Sequence, residues 1–273
     1  MNPQLIPVMK GIINLESIWR RTLKVMGLYN QWLFWREQHW PTVKMKRMHD
    51  LYAAFIHENS LCFDIGANMG SRVASFLVLN AKVIAVEPQR KCYRQLQLIF
   101  KNKNVVVVAK GVGAINETRN FYVADDTLIS SFSPEWIEGQ KTGHLKNNKW
   151  DTTVKVEIVT LDTLIQQYGV PDFIKIDTEG FELEVLKGLS TPVKALSFEY
   201  TLPHQKGKAI ECIGVIDHLY SGNVLYNICR DEAYSMYLPE WITAPDFITQ
   251  LKSDVFNINN FGFYGDIYAK AKS

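Results

Sequence analysis

The sequence has no CxxC pair and no Cys/His cluster: its four cysteines, Cys62, Cys92, Cys212 and Cys229, are widely scattered. That spacing argues against a zinc site or a disulfide framework and predicts reduced, buried thiols in a cytoplasmic protein. No run approaches the roughly 20 apolar residues of a membrane span, and the N-terminus lacks the charged head, apolar stretch and small-residue cleavage site of a signal peptide. A soluble chain is expected. Net charge is also scarce, +2 in total, which argues against a nucleic-acid binder with its strongly basic face. The GxxxxGK[ST] phosphate loop is missing, which removes the main support for nucleotide hydrolysis. There is no internal repeat and no low-complexity segment.

What is present is enough apolar material, 47% of 273 residues, to bury a full core without staples. One main domain over residues 58–273 is expected, preceded by a helical extension over residues 1–57. Residues 1–50 hold eight Lys/Arg against three Asp/Glu, which leaves net −3 on the remainder. Four of the seven tryptophans precede Pro41. Ile18, Trp19, Leu23, Met26, Leu28 and Trp32 recur at mixed three- and four-residue steps and predict one or two amphipathic helices from Leu15 to about Arg36. A second helix is expected over about Lys44–Glu58.

Beyond it, short β-branched runs alternate with helical patterns: LCFDIGAN and a helix from about Ser71, KVIAVEP and QRKCYRQLQLIFKN, then NVVVVAKGVGA. Such alternation predicts βαβ units around a parallel sheet covered on both faces. RNFYVAD and TVKVEIVTLDTLI read as strands of a β excursion flanking a flexible stretch from Ser130 to Lys149. The alternation resumes with PDFIKIDTEG, the helix FELEVLKGL, the strand ALSFEY, a helix over about Lys206–Tyr220, VLYNICR and a terminal FGFYGDIYAKA.

FDIGANMG, Phe63–Gly70, runs from a buried strand into a glycine turn. A dinucleotide fold prefers GxGxxG, whose second glycine admits the pyrophosphate; here that position is nearest Asn68, and Asp64 stands two residues ahead of Gly66. An acid there repels a pyrophosphate and attracts an ammonium group, directly or through water. That combination suits S-adenosylmethionine, which carries an amine and a cationic sulfonium. Glu87 ends the second strand, where a carboxylate can accept both ribose hydroxyls of an adenosine, and Pro88 suits the first turn of the next helix. The expected cofactor set is Asp64, Gly66, Ala67, Asn68, Gly70, Glu87 and Pro88, with Gly111 and Val112 closing the third apolar run.

Together with VTLDTLI and above all FIKIDTEGFELEVLKG, these motifs resemble, in order, the FkbM-type methyltransferases, a branch of the class I S-adenosylmethionine-dependent enzymes, over about Leu61–Tyr200. The resemblance implies an α/β, Rossmann-like fold with a seven-stranded, mostly parallel sheet, an antiparallel last strand and helices on both faces. It also implies O-methylation of a hydroxyl on a small metabolite or carbohydrate-like acceptor. Ligands of open α/β sheets collect beyond the carboxyl ends of the strands, where Asp64, Glu87, Asp177, Glu179 and Glu199 are placed. Methyl transfer from a sulfonium requires alignment of the acceptor and disposal of one proton. Crowded carboxylates repel one another, which raises pKa values into a range useful to a base.

Asp177 and Glu179 are the candidate bases, and the choice between them stays open. If strand alternation persists both point one way; if Thr178 begins the turn, one caps the next helix. Glu182 reads as a helix N-terminal charge. His204, just after FEYTLP, is an alternative base. Ser130 and Ser131 resemble a serine pair that the family often carries, and with Glu199 they are assigned to the substrate. Asp177 and Glu199 also resemble, in placement, the carboxylates with which catechol-type methyltransferases hold a divalent ion. Oxygen ligands suit Mg²⁺ or Ca²⁺, but with two candidate ligands and no Asp-Asn pair at the second strand, a metal is the lesser reading.

The aromatic, cationic N-terminal extension has three readings: a lid on the sheet domain, a homodimer surface, or a helix making peripheral membrane contact. The alternatives to an active methyltransferase are a catalytically silent binding module and a NAD-dependent oxidoreductase or epimerase. The latter lacks GxGxxG and an obvious Tyr-x-x-x-Lys pair.

Overall fold

The computed structural model describes residues 41–141, 145–202, 205–231, 233–253 and 263–272. The expected helices before residue 41, with the readings attached to them, and His204 lie outside the described residues. The described elements belong to the compact unit Val43–Ser273.

In chain order these are α1 (Val43–Ala53), β1 (Leu61–Ile65), α2 (Ser71–Val78), β2 (Lys82–Val86), α3 (Arg90–Ile99) and β3 (Val105–Val108). There follow β4 (Gly111–Val112), β5 (Glu117–Val123), α4 (Pro134–Lys141), β6 (Thr152–Val159), α5 (Leu161–Tyr168) and β7 (Phe173–Ile176). The chain closes with α6 (Glu182–Lys187), β8 (Ala195–Leu202), α7 (Lys206–Leu219), β9 (Val224–Arg230), α8 (Ala244–Lys252) and β10 (Phe263–Ala271). The main sheet has seven strands in the order β3-β2-β1-β7-β8-β10-β9, parallel except for β10, which runs antiparallel to both neighbours. A second, three-stranded sheet has the order β4-β6-β5.

Side chains alternate across each strand, and the two faces of the main sheet differ. Phe63, Ile65, Ile174, Ile176, Leu196 and Phe198 pack under α5, α6, α7 and α8 in one apolar core. The opposite face carries an aromatic cluster built with α1 and α2. Tyr52 meets Phe76 edge-on with centroids 4.9 Å apart, and Phe55 stacks on Phe173 and Tyr268 at 5.3 and 5.5 Å. That face also carries Asp64 and Lys175, which are direct register partners on β1 and β7. All four cysteines are buried and free.

One expectation is corrected. The run TVKVEIVTLDTLI is not one strand: β6 ends at Val159, and Thr160 caps α5 by accepting a hydrogen bond from the Thr163 N–H at 3.0 Å. Leu161, Leu164, Ile165 and Tyr168 then follow helical spacing onto the core. The stretch from Ser130 to Lys149, expected to be flexible, contains α4, whose Trp136 and Ile137 are buried. Trp136 lies against Gly180: a Cβ there would fall 2.4 Å from the indole, and the residue's φ is +88°.

Candidate active site

The carboxyl ends of β1, β2 and β7 meet the second sheet around a cleft enclosing about 600 Å³, its mouth included. Gly66, Asn68, Glu87, Pro88, Gly111, Val112, Ser130, Asp177 and Glu179 line it, as do Gln89, Thr127, Leu128 and Phe132, which sequence reasoning missed. Asp64, Ala67, Gly70, Ser131 and Glu199 stand outside its lining.

The glycine turn is held from several sides. The N–H groups of Gly66 and Ala67 both donate to the Val86 carbonyl, at 2.9 and 3.0 Å. Gly66 has φ +83°, and a Cβ on it would stand 1.8 Å from the Asp177 carbonyl oxygen, so only glycine lets β7's end approach this closely. Asn68, also at positive φ, donates its N–H to Glu87 Oε2 at 2.8 Å, while Glu87 Oε1 accepts from the Gln89 N–H at 2.7 Å. Burial raises the Glu87 carboxyl to about 7; these two N–H bonds oppose the rise, and nearby Asp64 adds to it.

The second sheet closes the cleft through one carbonyl. Thr127 O accepts from Asn68 Nδ2 at 3.0 Å and from Gln89 Nε2 at 2.8 Å. Ser130 Oγ donates to Gln89 Oε1 at 3.3 Å and accepts from the Ala124 N–H at 3.0 Å. Leu128, on the short 3₁₀ turn Thr127–Ile129, therefore stands over the cleft mouth, 62% exposed although apolar. Ser131 Oγ is taken up by the Glu179 carbonyl, to which it donates at 2.7 Å.

Beneath the turn lies a buried charge network. Asp64 is 1% exposed, and among the described residues its carboxylate has no hydrogen-bond donor besides the Val73 backbone N–H. Burial raises its carboxyl to about 7, against the pull of Lys175 and Arg72. Lys175 is wholly buried, with Nζ 2.9 Å from Asp266 Oδ1 and 3.4 Å from Asp177 Oδ2, and it donates to the Ile176 carbonyl at 3.1 Å. Arg72 lies over the Tyr234 ring, 5.6 Å from its centroid. Asp64 and Asp177 were read from the sequence, and the lysine inside the run FIKI was the sequence signal of the cation between them.

Beyond β7 the chain turns at once. Glu179 has φ +53°, so strand alternation stops before it. Neither Asp177 nor Glu179 caps the next helix; Glu182 does the bracing. Its Oε1 accepts from the Thr178 N–H at 2.9 Å, the Thr178 hydroxyl at 3.0 Å and the Gly180 N–H at 3.2 Å. Thus held, Glu179 joins Asp177 and Glu199, and carboxylate oxygens of the three lie within 4.8 Å of one another. Burial, then the Asp177 anion, pushes both Glu179 and Glu199 well above the usual carboxylate range. The set is one ligand larger than the pair read from sequence, and its all-oxygen chemistry matches that of Mg²⁺ or Ca²⁺ sites.

The cleft, the glycine turn and the acidic turn fall within residues 64–238, which match the Methyltransferase FkbM domain. The chain belongs to the FkbM methyltransferase family. It is 25% identical over 167 residues to the hexuronic acid methyltransferase AglP of Haloferax volcanii, a match covering 59% of this chain and 64% of that protein. The chain thus spans just under two thirds of the length of that curated relative. Solved structures similar to it include a precorrin-6y C5,15-methyltransferase from Geobacter metallireducens GS-15, with a TM-score of 0.41, 15% identity, and 85% and 87% of the two chains covered. Another is an rRNA methylase from Streptococcus thermophilus, with a TM-score of 0.40, 10% identity, and 82% and 94% covered. Among the described residues no helix is long and apolar enough to cross a membrane.

Proposed function

We propose that this FkbM methyltransferase uses S-adenosylmethionine to methylate a hydroxyl of a small, carbohydrate-like acceptor. The observation that carries the reading is Asp64: a buried carboxylate two residues before Gly66, with no side-chain hydrogen-bond donor among the described residues. Such a group is costly unless a ligand completes it, and an ammonium does so. Glu87 keeps further lone pairs for the two ribose hydroxyls, and Pro88, Val112 and Leu128 give the cleft apolar lining that suits adenine. Bound there, S-adenosylmethionine supplies an electrophilic methyl on a cationic sulfur.

Glu179 is the general base in this reading. It lines the cleft, and burial raises its affinity for the proton that the acceptor hydroxyl must lose. Asp177, 3.4 Å from Lys175 Nζ and so fixed in place by a buried cation, orients the acceptor hydroxyl instead. The similarity to a hexuronic acid methyltransferase supports a sugar as acceptor.

Calorimetric titration with S-adenosylmethionine, S-adenosylhomocysteine and NAD tests the cofactor. Saturable one-site binding of the first two and none of NAD is the expected result. Binding of NAD alone, or of none of the three, overturns it.

A further inference from the structure

Two opposite charges flank the glycine turn in the chain: Asp64 stands two residues before Gly66, and Arg72 two residues after Gly70, on the first turn of α2. The Tyr52 hydroxyl, contributed by α1, belongs to the same group. Asp64 and Tyr52 are 1% and 0% exposed. Among the described residues the Tyr52 hydroxyl has no hydrogen-bond partner, and the Asp64 carboxylate has only the Val73 N–H. Lys175, the register partner of Asp64, is already engaged by Asp266, Asp177 and the Ile176 carbonyl.

Arg72 is a cation whose contacts are all neutral. Its Nη1 reaches Ser71 Oγ at 3.4 Å, Tyr234 Oη at 3.5 Å and Met48 Sδ at 3.7 Å, and its Nε is buried without a partner. Among the described residues no carboxylate lies within ion-pair distance of it, Asp64 included. The two nonetheless feel each other: burial raises the Asp64 carboxyl, and Arg72, after Lys175, opposes the rise. Burial also raises the Tyr52 hydroxyl, and Arg72 is the strongest of the charges acting against that. Opposite charges held close without pairing, beside a hydroxyl with nothing to bond, suit a ligand that carries both signs itself.

From this arrangement we propose that Arg72 and the Tyr52 hydroxyl hold the α-carboxylate of the cofactor's amino-acid end, beside the ammonium on Asp64. The inference rests on the S-adenosylmethionine reading above and adds the recognition of the second charge on that end. Carboxylate and ammonium branch from one carbon, so a site that takes the ammonium must also accommodate the carboxylate. Next to Asp64 an unmatched carboxylate is repelled. Arginine answers it with a fork of N–H donors, and tyrosine adds an O–H. The start of α2 contributes the positive end of its dipole. Asp64 thus reads the amine, Arg72 and Tyr52 read the acid, and a ligand without the acid leaves the last two incomplete.

Calorimetry on the full chain compares S-adenosylhomocysteine with its decarboxylated analogue, which keeps the amine, and with 5′-methylthioadenosine, which has neither charge. The native chain is expected to bind S-adenosylhomocysteine roughly tenfold or more tightly than the decarboxylated analogue, the scale of a hydrogen-bonded charge. Arg72→Met is expected to remove that difference by weakening S-adenosylhomocysteine alone, Arg72→Lys to keep part of it, and Tyr52→Phe to reduce it. Asp64→Asn is expected to weaken both amine-bearing ligands and to leave 5′-methylthioadenosine unchanged. Equal native affinities for S-adenosylhomocysteine and its decarboxylated analogue overturn the proposal. So does an Arg72→Met loss shared by all three ligands, the mark of a distorted turn. If none of the three binds the native chain, the cofactor reading itself falls, and the two failures are told apart.

Discussion

Lys175 Nζ lies 2.9 Å from Asp266 Oδ1, an ion pair that joins the central strand β7 to the antiparallel strand β10 with the lysine wholly buried. Asp177, the residue that begins the acidic turn, is 3.4 Å from the same Nζ. Removing the cation leaves two carboxylates crowded without their partner, which typically costs about 3–5 kcal/mol. Lys175→Met is therefore expected to lower the unfolding free energy by that amount in urea titrations, and Lys175→Met with Asp266→Asn by clearly less than the sum of the single changes. Additive losses refute the coupling.

Glu179→Gln keeps the shape of the acidic turn and removes the proton acceptor. Its kcat is expected to fall roughly 10²- to 10⁴-fold, with S-adenosylmethionine affinity nearly unchanged. Asp177→Asn also lowers kcat, but by less, and raises KM for the acceptor. If Asp177→Asn proves the more damaging to kcat, the two roles are reversed.

The carboxyls of Asp64 and Glu87 are lifted to about 7 by burial, from ordinary values of 3.8 and 4.5. A carboxyl whose folded pKa exceeds its unfolded one holds its proton more tightly in the fold. Its contribution to stability is present at acid pH and is lost as pH rises from about 4 to about 7. Cofactor affinity runs the other way, because both groups act ionised: it should fall by up to about tenfold per pH unit for each group below about pH 7. Calorimetry from pH 5.5 to 8.5 reads this slope, and Asp64→Asn should flatten it. A pH-independent affinity rules out the ammonium contact.

Chelation addresses the acidic cluster. Lys175 already places a positive charge beside Asp177, and the raised proton affinity of Glu199 lets a proton there relieve part of the remaining repulsion. Turnover after dialysis against EDTA is expected to stay within about twofold of the untreated enzyme. A loss restored by Mg²⁺ or Ca²⁺ assigns the three carboxylates to a metal instead.

Gly66→Ala places a methyl against the Asp177 carbonyl, at 1.8 Å before relaxation, on a backbone with φ +83°. Strain and overpacking together should cost roughly 3–5 kcal/mol. A thermal melt with an unshifted midpoint contradicts the close approach of the two turns.

The strands of the main sheet were legible because buried parallel strands read as near-continuous apolar runs, as in VVVV and VIAV. The same rule misled at TVKVEIVTLDTLI, where β-branched residues continue into a helix and the boundary lies in a single Thr160 cap. Glu87 was legible because a strand-end acid before proline needs only local context. The Lys175–Asp266 pair was not, since it depends on β10 inserting between β8 and β9, a register set by partners far apart in sequence. Glu182 looked like a helix-start charge, yet its carboxylate reaches back to hold Thr178 and Gly180, which periodicity alone does not reveal.

The glycine turn is held by hydrogen bonds before any ligand arrives, with Gly66, Ala67 and Asn68 each donating to β2 or its terminal glutamate. Such preorganisation spares the ordering entropy of binding, and under the proposed function it does so equally for the methylated cofactor and for its demethylated by-product, which share the adenosyl and amino-acid parts. The by-product should therefore compete strongly for the enzyme, and the pace of repeated turnover would be governed by how quickly the surrounding medium removes S-adenosylhomocysteine.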